Sequence, residues 1–450
     1  MRAINSRKSQ GRNLQRQSFV TYQPKSVNDV VAVMRDAEKF PTPVRPVGSG
    51  SSATRCNQSQ RGTILDMTLM KAFIKMTDKT VTVGAGMSLR SLADRLANEG
   101  MELVGGYEYP ERTVGGLISS GSLAAGVPGD TGHLAGSVLG VTMVTPQGRQ
   151  VSIGNDQPEL LGMVRQGFGL LGVICAVTLM IRPIRTYTIR NHELDFAELG
   201  RFIPDIADAK AGVKLFLLPF RDRAFAELRF AKTSQQQSGK LPWKIRDWAC
   251  NRAIPDFIHS VGRMVPISKI RDPLIDSVSE TTQRFVNKRL SVVGSNAMEQ
   301  TGQFRKVRQS TSIAYTTWLF TAESFPDVVN AYRDFCQSYY QNSGFRCDLP
   351  SIAYRIDQDA TAFLSPSFDG PLFALKLRST NLDGWDDFLF EFADFAASHS
   401  GIPLFNQTRG MASGQAVEAY GERLQRFAKV RRQLDPENRC LNQFFAEYIG

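Results

Sequence analysis

Histidine is scarce in this chain: the 450 residues hold four, His133, His192, His259 and His399, and no two stand at metal-ligand spacing. A resident metal is therefore not expected. The six cysteines, Cys56, Cys175, Cys250, Cys336, Cys347 and Cys440, include no Cys-x-x-Cys pair. That removes zinc ribbons and dithiol redox motifs, and it fits reduced thiols in a cytoplasmic compartment. Long apolar runs are missing too. The longest, Phe168 to Ile181, has 14 residues and two glycines, too short for a membrane span and suited to a buried strand. No signal-peptide core follows Met1. Acids are absent before Asp29, while Arg2, Arg7, Lys8, Arg12, Arg16 and Lys25 precede it and the formal net charge is +11. This reads as a solvated basic tail, with an acidic partner or a membrane surface as the alternative. Nucleic acid is not an expected partner.

What is present is glycine in two clusters, PVRPVGSGSSATRC at Pro43 to Cys56 and RTVGGLISSGSLAAG at Arg112 to Gly126. In the first, a short β-type run, Val44 to Val47, breaks into Gly48-Ser49-Gly50-Ser51-Ser52. Glycines there let successive backbone N–H groups converge on an anion. Gly48, Gly50 and Ala53 also fit the start of a dinucleotide fingerprint, with Asp66 ending a second short apolar run. A fingerprint loop must open into an amphipathic helix, however, and Ser52 to Gly62 has no helical periodicity. A loop-only phosphate cradle remains.

A length of 450 residues with 42% hydrophobic composition supports a full core and two to three domains. Ser26 can cap a helix carrying Val27, Val30, Val31 and Met34 on one stripe, and Ser88 a second helix with Leu89, Leu92, Ala93 and Leu96. Strands at Val44 to Val47, Thr63 to Leu65 and Val81 to Gly84 separate them. From Tyr187 to about Gln309 the pattern loosens to a strand pair, Val213 to Pro219 and Ala224 to Phe230, then a basic, turn-rich stretch. From Ile313 it sharpens into a β-α-β-β-α-β order. Its pieces are Ala314 to Phe320, Asp327 to Tyr340, Ile352 to Ile356, Leu372 to Arg378, Trp385 to Ser398 and Pro403 to Asn406.

Between Pro24 and Pro183 stand PKSVNDVVAVMRDA, RPVGSGSSATRC, TILDM, VTVGAGMSLRSLADRLANEG, TVGGLISSGSLAAG, VLGVTMVTPQGR and FGLLGVICAVTLMIRP. In this order they resemble the FAD-binding domain of the vanillyl-alcohol oxidase and p-cresol methylhydroxylase flavoproteins. The closing run Tyr420 to Phe445, a basic helix broken at Asp435-Pro436, is similar to the segment with which that family returns to its flavin domain. The spacing from Ile352 to Asn406 resembles the aldonolactone and alditol oxidase branch.

The resemblance implies an α+β fold: a two-part FAD-binding domain over 1–186, an antiparallel-sheet cap or substrate domain over 187–405, and a C-terminal segment, 406–450, returning to the flavin domain. It implies an FAD-dependent oxidase or dehydrogenase that removes a hydride to flavin N5 from a small hydroxyl- or amine-bearing substrate. Gly48, Ser49, Gly50, Ser51 and Ser52 would hold the pyrophosphate. Thr113, Gly115, Gly116, Ser119, Gly121 and Ser122 would line the flavin's other side, with Ile174 and Asn442 completing the cofactor set. Many relatives carry a flavin-linked histidine where this chain has Ser51, so the FAD is expected to be non-covalent. His133 reads as a polar loop histidine, the alternative being contact with flavin or substrate.

The branch's E-x-R and H-W-x-K motifs correspond here to Ala353-Tyr354-Arg355 and Leu404-Phe405-Asn406-Gln407. The arginine is kept; the acid, histidine and lysine are not. Strand alternation sets Arg355 opposite Tyr354, and Lys376 with Arg378 opposite Phe373, Leu375 and Leu377. If the strands pair with these polar faces together, Arg355, Lys376 and Arg378 form an anion subsite for a carboxylate or phosphate, with Tyr354 and Gln407 as further catalytic candidates. Tyr107 and Tyr109 are other candidates for receiving a proton. The alternatives are a solvated sheet face, a neutral sugar-lactone, alditol or phosphosugar carbinol as substrate, and a flavin-binding module without catalysis. Leu241 to Ile270, with Trp243, Trp248, Phe257 and Met264 among cations, reads as a helical lid packed on the cap. A surface-seeking amphipathic pair, and with it peripheral membrane contact, is the less favoured reading.

Overall fold

The computed structural model describes residues 19–59, 61–105, 111–123, 126–127, 130–208, 211–232, 248–290, 294–296 and 313–450. Tyr107 and Tyr109 lie outside the described residues, as does the basic tail up to Ser18.

A small parallel sheet comes first, with Gly62–Asp66 between Phe19–Tyr22 and Val44–Val47. Ser26 and Asp29 form a reciprocal capping box on the helix Val27–Arg35, whose Val30, Val33 and Met34 are buried. A second, antiparallel sheet runs in the order Phe73–Met76, Thr80–Gly84, Val173–Pro183, Val138–Val144, Gln150–Gly154. The apolar run near Phe168 supplies its central strand, buried because helices Leu89–Asn98 and Val114–Ser120 and the C-terminal helices cover Val177, Leu179 and Ile181 while the helix Val27–Arg35 packs with Val173 and Cys175. Helices Ser413–Leu434 and Gln443–Ile449 put Tyr420, Leu424, Phe427, Phe445 and Ile449 into the same core as Leu89 and Val177.

The cap is an eight-stranded antiparallel sheet. Its order is Gly294–Asn296, Thr186–Leu194, Arg223–Lys232, Gly212–Leu218, Ser351–Ile356, Leu372–Ser379, Ala314–Thr321, Ile402–Pro403. Helices Phe196–Asp208, Phe325–Ser343 and Trp385–Ser398 bury one face, where Phe373, Leu375, Leu377 and Trp318 meet Phe325, Tyr332 and Phe392. The opposite face packs Phe216, Ile352, Tyr354 and Ala374 against Leu123 of the second glycine cluster. The architecture is α+β. Where the strand Val173–Pro183 ends and Thr186–Leu194 begins, Arg182 binds Glu102, Asp130 and the Tyr187 hydroxyl, a largely buried knot between the second and third sheets.

The stretch expected to be loose and turn-rich instead holds the strand Thr186–Leu194 and helices Phe196–Asp208, Ile254–Met264 and Ser268–Leu290. Pro204 and Pro273 sit inside two of those helices, and many of the apolar residues of Ser268–Leu290 are exposed, which blurs the sequence periodicity.

Candidate active site

Val47 ends its strand, and Gly48 to Ser52 turn away as an irregular loop. A Cβ on Gly48 would stand 1.9 Å from Thr113 Oγ1, so only glycine lets this loop touch the second glycine cluster. Gly50 has φ +68° and open space where a Cβ would go. Among the described residues no acceptor takes the amide N–H groups of Ser49, Gly50, Ser51 or Ser52. Opposite them, Thr113 Oγ1 caps Gly116 N at 3.3 Å, and Gly115 packs so tightly on Ala85 that a Cβ would lie 2.8 Å from its methyl carbon. The loops face each other across an open cleft lined by Gly48 to Ser52, Thr113, Gly115, Gly116, Ser119, Ser120 and Ile174.

Three expected cofactor residues stand elsewhere. Gly121 turns away at φ +71°, its missing Cβ 2.8 Å from Gln166 Oε1. Ser122 is buried and accepts Leu134 N at 3.1 Å, because the chain has left the cleft by then. Asn442 donates to Cys56 O and Gln58 O at 3.1 and 2.8 Å and caps Phe445 N. It fastens the segment that follows the cradle.

Arg45, in the strand leading into the cradle, is 2% exposed and donates to Cys440 O, Cys56 O and Phe168 O at 2.7, 3.1 and 2.7 Å. It lines the cleft floor and ties three distant segments together without a carboxylate in its hydrogen bonds. Burial lowers its pKa from the ordinary arginine value, opposed by Cys440, Cys56 and Asp435. Sequence reasoning passed it over; the signal was a cation inside the otherwise apolar VRPV. Arg112, also unremarked, donates from Nε to Ser51 Oγ at 2.9 Å.

The cap face differs from expectation. The register pairs Arg355 with Phe373 and Lys376 with Ile352, so Arg355 and Lys376 lie on opposite faces of the sheet. The three-cation subsite does not form. Arg355 pairs with Asp357, and Arg378 donates to Pro350 O at 3.0 Å. Lys376 is 5% exposed, shares with Tyr354 the sheet face opposite the helices, and lies 4.6 Å from the Tyr315 ring centre. Tyr315 in turn donates to Ser51 O at 3.4 Å, bringing this face over the cradle. Lys214, unnoticed in the sequence, is paired with Tyr354 in the register and lies 5.5 Å from its ring. Gln407 is buried at the sheet edge, its Oε1 3.5 Å from Thr317 Oγ1.

His133 is no open loop residue. It is fully buried, with Nδ1 2.7 Å from Ser122 O and Nε2 3.2 Å from Ser367 Oγ, joining the flavin half to the cap. Burial holds its pKa below the ordinary histidine value, with nearby Asp359 pulling the other way.

Backbone donors without partners among the described residues, facing an open cleft, suit the diphosphate of FAD. The fold and cleft together are those of the FAD-binding flavoproteins of the vanillyl-alcohol oxidase and p-cresol methylhydroxylase type. A family model described as an FAD binding domain matches residues 20–154. A second, D-arabinono-1,4-lactone oxidase, matches residues 177–448, more than half the chain, and the chain belongs to that family.

L-gulono-1,4-lactone dehydrogenase of Mycobacterium tuberculosis is 21% identical over 95% of both chains. Alditol oxidase of a Streptomyces species is 30% identical over 40% of this chain and 42% of its own length. The mitochondrial L-galactono-1,4-lactone dehydrogenase of Brassica oleracea is 27% identical over 44% of this chain, which spans about a third of that enzyme (33%). In fold, cholesterol oxidase from B. sterolicum superposes with a TM-score of 0.77 at 16% identity, covering 96% of this chain and 94% of that one.

Proposed function

We propose that this enzyme holds FAD non-covalently and oxidises a carbinol of a small, hydroxyl-bearing substrate that carries an anionic group. Bound FAD supplies the hydride acceptor, its N5 atom. The chain's own work is binding and orientation. The amides of Ser49 to Ser52 and the Arg45 charge beneath them receive the diphosphate, and Ser51 offers no imidazole for a covalent link. Lys376 and Lys214 attract the anionic group, Tyr354 between them hydrogen-bonds the reacting hydroxyl, and Tyr315 holds the cap face against Ser51 and keeps water out. The observation that carries the reading is that Lys376 is buried on the face which Tyr315 fastens to the cradle.

Membership of the lactone oxidase family favours a second reading, a neutral sugar lactone or alditol held by the same face. Anaerobic bleaching of the flavin separates them. Acidic sugars, aldonates or sugar phosphates, should bleach it at lower concentration than neutral lactones and alditols; the reverse order supports the second reading. No bleaching by any of them would favour a binding module without catalysis. Acid precipitation should leave the flavin in the supernatant, and yellow precipitated polypeptide would sink the non-covalent claim.

A further inference from the structure

The helices Ile254–Met264 and Ser268–Leu290 have more apolar residues than their packing uses. Ile258, Val261 and Ile275 close over Leu349 of the cap and form a small core. That part packs on the eight-stranded sheet's domain; Trp243 and the rest of 241–247 lie outside the described residues. Outside that small core Met264 is 74%, Ile267 55% and Ile270 59% exposed, and Trp248, Phe257 and Leu274 are exposed along the same helical stretch. Ile270 and Leu274 are four apart on one side of the helix Ser268–Leu290, Ile267 immediately precedes that helix, and Phe257 and Met264 are seven apart on the preceding one. An exposed strip of this kind marks an interaction surface.

Charge decides what the surface fits. Around this tip the acids are engaged: Asp256 with Arg252, Asp272 with Arg271 and the Tyr340 hydroxyl, and Asp276 with Arg346. Arg263 and Lys269 are exposed among the apolar residues and form no ion pair among the described residues. An apolar strip edged by uncompensated cations matches the interface of a bilayer bearing anionic headgroups, where the apolar residues enter the acyl boundary and the cations stay with the headgroups. No helix among the described residues is long and apolar enough to cross a membrane, so the pair would lie in the surface plane.

We propose that the tip formed by Met264, Ile267 and Ile270, flanked by Arg263 and Lys269, docks this enzyme on anionic membrane surfaces. The test is co-sedimentation of the FAD-loaded full chain with vesicles of phosphatidylcholine alone and of phosphatidylcholine with phosphatidylglycerol. Pelleting should be on the order of tenfold stronger with the anionic vesicles and should weaken with added salt. Ile267→Ser/Ile270→Ser should lose most of the binding, and Arg263→Gln/Lys269→Gln should lose the preference for anionic lipid, both with unchanged FAD content. Equal or absent pelleting with the two vesicles would overturn the proposal, as would wild-type binding by the isoleucine variant. So would a lipid-free oligomer that the isoleucine variant converts to a monomer, because the strip would then be covered by a second copy of the chain.

Discussion

The cradle and the cap face meet at Ser51, yet they are built by different means. The cradle is backbone: consecutive amides, a glycine packed on Thr113, and one buried arginine beneath. Its parts follow one another in the chain. The cap face is made of side chains from neighbouring strands, Lys214, Tyr354, Lys376 and Tyr315, and their grouping depends on register. Register is a tertiary quantity, and a choice of pairing that is wrong by one residue moves a side chain to the other face. A recognition element made of contiguous backbone thus tolerates almost no substitution at its glycines, while one made of strand side chains can change specificity residue by residue.

Four experiments sharpen or break that contrast. Gly48→Val should abolish FAD retention, because its Cβ would overlap Thr113 Oγ1, and Gly50→Asp should do the same by placing a carboxylate where the diphosphate binds. Flavin content measured on folded, purified variants checks this, and near-normal content would place the phosphate site elsewhere. Arg45→Met should be next in size, leaving three buried carbonyls without their donor at a cost of about 3 kcal/mol, read as a lowered thermal midpoint. An unchanged midpoint would mean that the arginine is not what ties these segments together.

Lys376→Met should weaken binding of an acidic substrate by about 2 kcal/mol without changing FAD content. Arg355→Met, on the helix-covered face, should leave that binding alone and cost about 1 kcal/mol of stability through its pair with Asp357. Equal effects of the two on substrate binding would contradict the observed register.

The last effect is absent at neutral pH and appears only on acidification. His133 is buried with its pKa held below 6.5, so between 6.5 and the lowered folded value the unfolded chain binds the extra proton. Its contribution to stability is full above 6.5 and is lost as pH falls through that window, with a slope of up to about 1.4 kcal/mol per pH unit. His133→Gln should flatten the slope in chemical denaturation between neutral and mildly acidic pH, and an unchanged slope would remove the histidine as its cause.

Legibility followed the range of the interactions. Ser26 and Ser88 cap their helices as the sequence led one to expect, since a cap needs only its own first turn. The β-α-β-β-α-β order was readable because each piece has its own periodicity. Arg45 was legible only as an oddity, a cation in an apolar strand, since its three carbonyl partners come from residues 11, 123 and 395 positions away. Gly121, Ser122 and Asn442 belonged to the right segments, but the chain turns away from the cleft before the first two and Asn442 faces the strap behind it.

The sequence pointed to FAD through the ordered motifs it shares with a flavoprotein family, and to the Gly48–Ser52 loop as an anion cradle because contiguous glycines carry that chemistry in the backbone. Only the tertiary structure decided that Lys376 and Lys214, and not Arg355, share the sheet face opposite the helices, and that the apolar residues around Ile267 remain outside the core. Both depend on which strands and helices are neighbours, and that is settled by burial summed over the whole fold rather than by any one segment.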